Sequence, residues 1–119
     1  MPILTVYGIS KQMEHQLDRF ADLLIKAVIS IEELNLRASD VSCFFPASKI
    51  STPGDQIIIF VDGLFEKPER TPEVRAKLAA VIVSITADHF SDGFYRKVEL
   101  IECFIRPFNP ENGFATLKG

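Results

Sequence analysis

Pro2 is the residue of this chain whose chemistry depends most on where it stands. It opens the extended apolar run Met1-Pro2-Ile3-Leu4-Thr5-Val6-Tyr7-Gly8. With Met1 removed, Pro2 becomes the amino terminus and presents a secondary amine. An α-amino group titrates at roughly 8 when unperturbed, and an apolar surrounding disfavours its charged form. Such an amine can take and return a proton near neutral pH without a histidine. The plain alternative is a proline tolerated at the first residue of a strand, where no ladder donor is needed. The other reactive side chains offer less. Cys43 and Cys103 sit inside apolar strand-like runs and read as buried, inert thiols. His15 and His89 read as surface or helix-end residues, without the cysteine or carboxylate spacing of a metal site. Glu99 and Glu102 lie three apart on a strand, so they point to opposite faces and make no catalytic carboxylate pair.

The elements that must position Pro2 follow from periodicity. Residues 2–8 read as a strand. Ser10 is placed to cap a helix carrying Leu17, Phe20, Leu24, Ala27, Val28 and Ile31 at three- and four-residue spacing, ending near Asn35. Val41 to Ala47 reads as a second strand, and Ser48 to Asp55, with Thr52-Pro53-Gly54, as a loop. Gln56 to Phe65 reads as a third strand, and its Ile57-Ile58-Ile59-Phe60-Val61 core is apolar on both faces. Thr71-Pro72-Glu73 joins a cap, a first-turn proline and an acid at the positive dipole end, which starts a helix running to about Phe90. Its inward stripe is Val74, Leu78, Val81, Ile82 and Ile85. Ser91-Asp92-Gly93 breaks that helix, Lys97 to Arg106 is the fourth strand, and Asn112-Gly113 marks a turn in the tail.

The order is strand-helix-strand twice, and the halves echo each other. Val6-Tyr7-Gly8 answers Val61-Asp62-Gly63, and Cys43-Phe44-Phe45 answers Cys103-Phe104-Ile105. These echoes predict one domain over residues 1–119 with pseudo-repeats 2–47 and 56–106 and a tail 107–119. The class is α+β, with a four-stranded sheet and two helices on one face. Two helices cover one face only, yet the third strand is apolar on both, so a second subunit is expected on the other.

Composition narrows the function. The 119 residues suit one domain; 47% are hydrophobic, 24% are charged, and the net charge is −3, without the basic face of a nucleic-acid binder. No apolar stretch is long enough to span a bilayer, and no secretion leader is evident, so a cytoplasmic protein without membrane contact is expected. Neither a cofactor nor a metal is implied.

A terminal proline on a first strand, followed by two β-α-β units in a short chain, resembles the tautomerase superfamily: 4-oxalocrotonate tautomerase, macrophage migration inhibitory factor and 5-carboxymethyl-2-hydroxymuconate isomerase. The resemblance covers nearly the whole chain and is closest at Pro2-Ile3-Leu4, at the helix from Thr71 to Phe90 after a proline-and-arginine loop, and at Asn112-Gly113-Phe114. It implies a homotrimer of fused-repeat subunits with sheets inward and helices outside. It also implies Pro2 as the proton-transferring group acting on a small 2-oxo or enol carboxylic acid, with cations holding the substrate carboxylate. Lys11, after the first strand, stands nearest the position of a family arginine, and Ser42 stands where short-subunit members place another. Lys67 and Arg70 in the loop before the second helix, Arg75 one turn into it, and Arg106 at the end of the last strand are the remaining carboxylate-binding candidates. Tyr7 and Phe114 are candidate pocket walls. Two alternatives stand beside the isomerase: a non-catalytic oligomeric binding protein on the same scaffold, and a ferredoxin-like regulatory module built on an antiparallel sheet.

Overall fold

Alternation along the central strands builds the sheet and decides which face is buried. In the computed structural model, which describes residues 1–9, 11–46, 56–90 and 98–119, strand β1 (Ile3–Tyr7) lies beside β2 (Ser42–Phe44) on one side and β3 (Gln56–Phe65) on the other. Strand β4 (Leu100–Phe108) flanks β3, giving the order β2-β1-β3-β4. The pairs β1–β2 and β3–β4 are parallel and the central pair β1–β3 is antiparallel. Each unit's two strands are therefore neighbours, joined across a helix, in a mixed sheet. A ferredoxin-like sheet is antiparallel throughout, so this pairing sets that alternative aside.

One sheet face carries Leu4, Val6, Ile57, Ile59, Val61 and Leu64, all buried, in one core with both helices. Helix α1 (Leu17–Ile29) contributes Phe20, Leu24 and Val28, and helix α2 (Pro72–His89) contributes Leu78 and Ile82. The opposite face is open: Ile3, Tyr7, Phe44 and Phe104 stand between 38% and 55% exposed on it. Phe60 stacks on Phe104 at 5.4 Å and takes the edge of Tyr7 at 6.1 Å, so the open face carries an aromatic stripe.

Helix α2 starts as the sequence predicts, with the Thr71 hydroxyl accepting from the Val74 amide at 3.3 Å and proline in the first turn. Thr86, facing inward, donates its hydroxyl to the Ile82 carbonyl at 2.7 Å, which makes a buried threonine tolerable there. The first helix differs from expectation. Residues Lys11–Gln16 form a 3-10 helix, and α1 ends at Ile29 rather than near Asn35. The Ser30 hydroxyl donates to the Ala27 carbonyl at 2.7 Å, and Asn35 adopts a left-handed φ of 51° after a 3-10 turn over Glu32–Leu34. These local bonds compete with continued helix. The second strand is shorter than predicted, and the fourth is displaced towards the C-terminus. The cap at Ser10, the loop Ser48 to Asp55, Ala47, Ser91-Asp92-Gly93 and Lys97 lie outside the described residues.

The two units match in register. Leu4 pairs with Cys43 and Ile59 pairs with Cys103, and in each unit a glycine follows four residues on, Gly8 and Gly63. Both glycines have positive φ, 99° and 73°. The sequence echoes thus fall on equivalent positions of the fold.

Candidate active site

The amino terminus meets the end of β3. Pro2 is buried, its carbonyl accepts from the Ser42 amide at 3.2 Å, and Ile3 pairs with Asp62. A register shift between Asp62 and Leu64 puts Gly63 in a bulge at this point. The Met1 ammonium donates to the Gly63 carbonyl at 3.3 Å. Burial first, and then the positive charge of Arg70, hold that amine below its ordinary value, with Asp40 opposing and Lys67 adding to the effect.

A cleft of about 650 Å³ opens here, floored by Ile3, Asp62 and Gly63 and walled by Phe65, Phe108 and Phe114. Phe114 sets its edge against Phe65 at 4.9 Å, so the tail after the 3-10 turn Pro110–Asn112 forms one wall. Arg106 lines the cleft as well. Its guanidinium donates to the Asp62 carboxylate at 2.6 Å and lies 4.2 Å over the Phe60 ring. The hydrogen bond to Asp62 keeps Arg106 firmly charged. Cross-strand register produces this pair, because Asp62 and Arg106 are partners in the β3–β4 ladder.

The cleft collects the start of the chain, Arg106 and Phe114. The other sequence candidates stand elsewhere. Arg70 is 5% exposed; it donates to the Phe65 carbonyl at 2.7 Å and to the Leu34 carbonyl at 2.7 Å, while its Nε has no hydrogen-bond partner among the described residues. Arg75 donates to the Arg70 carbonyl at 2.6 Å. Lys67 is exposed in the turn before α2, within electrostatic reach of the amino terminus. Tyr7 stands on the open sheet face against Phe60, away from the cleft lining. Lys11 opens the 3-10 helix, and its side chain lies outside the description.

Asp40, Asp62 and Gly63 were not singled out as site residues in the sequence. Asp40, held by the Arg37 amide at 2.9 Å, places a carboxylate near the amine. The repeat gave a signal for Gly63, since it falls near the end of the third strand as Gly8 falls just past the first; nothing in the spacing marked the two acids. His89 is the last residue of α2, in line with the helix-end reading, and it is half-buried, with its ring stacked on Phe20 at 5.0 Å and T-shaped to Phe90 at 4.7 Å. Among the described residues no group of histidines, cysteines and acids is arranged to hold a metal, and no helix is long and apolar enough to cross a membrane.

No protein-family model matches the sequence, and no curated protein matches it. Solved structures do match. A member of the cis-3-chloroacrylic acid dehalogenase family, N1, superposes with a TM-score of 0.68 at 17% identity, over 95% of this chain and 79% of that one. A fused 4-OT solved as a symmetric trimer gives 0.66 at 12% identity, over 90% and 85%. The FG41 malonate semialdehyde decarboxylase inhibited by 3-bromopropiolate gives 0.60 at 18% identity, over 98% and 91%. With its mixed β2-β1-β3-β4 sheet and its proline-led first strand, the chain has the fold of the tautomerase superfamily.

Proposed function

We propose that the protein is a tautomerase-like isomerase in which Pro2, freed of Met1, moves a proton on a small 2-oxo or enol carboxylic acid. The observation that carries this reading is the setting of the chain start: Pro2 is buried, and the Met1 joined to its nitrogen lines a cleft of about 650 Å³ together with Gly63 and Arg106. A neutral amine at pH 7 is a competent base, and a positioned base typically contributes a factor of about 10² to 10⁴. Removing a proton next to a carbonyl builds enolate charge, and a cation already in place stabilises that charge more in the transition state than in the ground state. Arg106 is the cation that lines the cleft, with Lys67 and Arg70 acting at longer range and Phe114 forming a wall. Lys11, Arg75 and Tyr7 have a part in this reading only through subunit contacts.

A homotrimer belongs to the same proposal. The open sheet face, with Phe44 55% and Phe104 45% exposed, leaves a large apolar patch to be covered. The fused 4-OT that shares the fold was solved as a trimer. Light scattering tests this directly, and a monodisperse monomer refutes it. The test of the chemistry is ketonisation of phenylenolpyruvate and of 2-hydroxymuconate, with Met1 removal verified by intact mass and Pro2→Ala as control. Loss of at least about 100-fold in kcat/KM on substitution is expected; equal rates refute the Pro2 mechanism.

A second reading, a non-catalytic oligomeric binding protein, has one specific observation in its favour. Arg106 is already bonded to Asp62, and two donors of Arg70 are held by carbonyls, so both arginines are engaged within the chain. Carboxylate binding by the processed protein with no turnover would select it.

A further inference from the structure

The two halves of the molecule differ at one place where their repeat makes them comparable. Gly8 and Gly63 hold equivalent positions, each at the end of a central strand where it passes the start of the other. A Cβ added at Gly8 would fall 2.0 Å from the Gln56 carbonyl oxygen and 3.3 Å from the Ile57 Cα. A Cβ added at Gly63 would fall 2.7 Å from the Met1 carbonyl oxygen and 3.7 Å from its carbon; among the described residues nothing else lies within 4 Å. Met1 is therefore to Gly63 what Gln56 is to Gly8. Gln56 is an internal residue and always fills its place. Met1 is the chain end, and its removal empties the space in front of Gly63.

That space adjoins the Pro2 nitrogen, because the bond broken in processing is the one joining Met1 to that nitrogen. It also opens on the cleft, since Met1, Gly63 and Arg106 share its lining. We propose that Gly63 is a specificity-determining residue: its bare Cα holds open the volume that Met1 vacates, and this volume takes the enol or carboxylate end of the substrate beside the Pro2 amine. The proposal rests on the reading of Pro2 as the working amine. A side chain at position 63 would stand where the reacting carbon must come, so its effect is steric and local, leaving the amine in place.

Four proteins test it: wild type and Gly63→Ala, each with Met1 removed and with Met1 retained by inhibiting methionine aminopeptidase, and each verified by intact mass. Alanine at a φ of 73° costs stability in both forms. The contact with the Met1 carbonyl exists only in the retained form, so the fall in Tm there is expected to be larger by at least about 4 °C. In the processed form, Gly63→Ala is expected to lower kcat/KM for phenylenolpyruvate at least about ten-fold, with the Pro2 nitrogen titrating as in wild type by ¹⁵N NMR. Gly63→Asn, which tolerates left-handed backbone, gives the same loss and serves if the alanine variant fails to fold. Equal Tm penalties in the two forms, or wild-type kcat/KM in the processed variants, overturn the proposal. If processed wild type does not turn over phenylenolpyruvate, the isomerase reading fails separately. The subsite is then judged by NMR titration with phenylpyruvate: a ten-fold loss of affinity on Gly63→Ala upholds it, and unchanged or absent binding in wild type overturns it.

Discussion

Replacing Arg70 by methionine is expected to lower the stability of the protein by about 3 kcal/mol, and the reasoning runs through two carbonyls. The guanidinium joins the Phe65 carbonyl, at the end of β3, to the Leu34 carbonyl, in the turn after α1, at 2.7 Å each. Hydrogen bonds with a charged partner contribute about 1.5–3 kcal/mol each when water cannot replace them. With Arg70 only 5% exposed, water has little access. Two such bonds sum to about 3–6 kcal/mol. Against this stands the cost of burying the guanidinium, visible in the downward shift of its pKa by desolvation, and methionine recovers that cost while keeping the apolar stem in place. The lower end of the range is therefore expected, and at roughly 4 °C per kcal/mol for a domain of this size it corresponds to a fall in Tm of about 12 °C. Lysine, with a compact ammonium in place of the planar fork, cannot hold both carbonyls at once and should recover less than half of the loss. Thermal melts by circular dichroism, at matched protein concentration because assembly shifts Tm, give the answer. An Arg70→Met protein that melts within about 3 °C of wild type, while KM for phenylenolpyruvate rises ten-fold or more, would refute the tether and make Arg70 a substrate-binding residue.

Asp62→Asn releases Arg106 from its carboxylate and removes a negative charge from the cleft floor. KM for the dianion 2-hydroxymuconate should fall about three- to five-fold, more than for phenylenolpyruvate, and the gain should shrink in high salt. In the protein that keeps Met1, whose amine is held below its ordinary value by burial and by Arg70, the unfolded chain carries the extra proton between that lowered value and roughly 8. The unfolding free energy should therefore rise with pH across that interval, and denaturant melts at stepped pH will show it. Burial pushes the Cys43 thiol up to about 11 and the Cys103 thiol up to about 12. Both should resist a thiol-disulfide reagent at pH 8 in the native protein and react within minutes on unfolding. The folded protein also keeps these protons while the unfolded chain loses them above roughly 8.5, so stability falls as pH rises beyond that point.

Much of the architecture was legible because it follows from local rules. Thr71-Pro72-Glu73 announced α2 through capping, and the run Ile57 to Val61 announced a central strand with apolar residues on both faces. The tripeptide echoes fall at matching points of the strand register, with Leu4 paired to Cys43 and Ile59 to Cys103. The ends of α1 were less legible, since the Ser30 hydroxyl and the left-handed Asn35 stop it through bonds that periodicity does not register. The site was legible only in part. Arg106 and Phe114 line one cleft with Met1, the residue before Pro2, but the sequence treated Arg70 as one loop cation among several. Its burial depends on Leu34 lying beside Phe65, a contact across 36 positions between Leu34 and Arg70 in the chain. Asp62 escaped notice for a related reason: only strand register reveals that it faces Arg106.

The matched glycines also fix a stoichiometry. A subunit made of two equivalent β-α-β units offers two equivalent sheet ends, but a chain has one amino terminus. The end at Gly8 is crossed by continuous backbone through Gln56, so no terminal amine can form there. Each subunit of an assembly can then carry one working amine against two equivalent positions, and a trimer would titrate three such groups rather than six. The two ends are alike in backbone, and on the proposed reading only the one that meets the start of the chain can become chemically distinct.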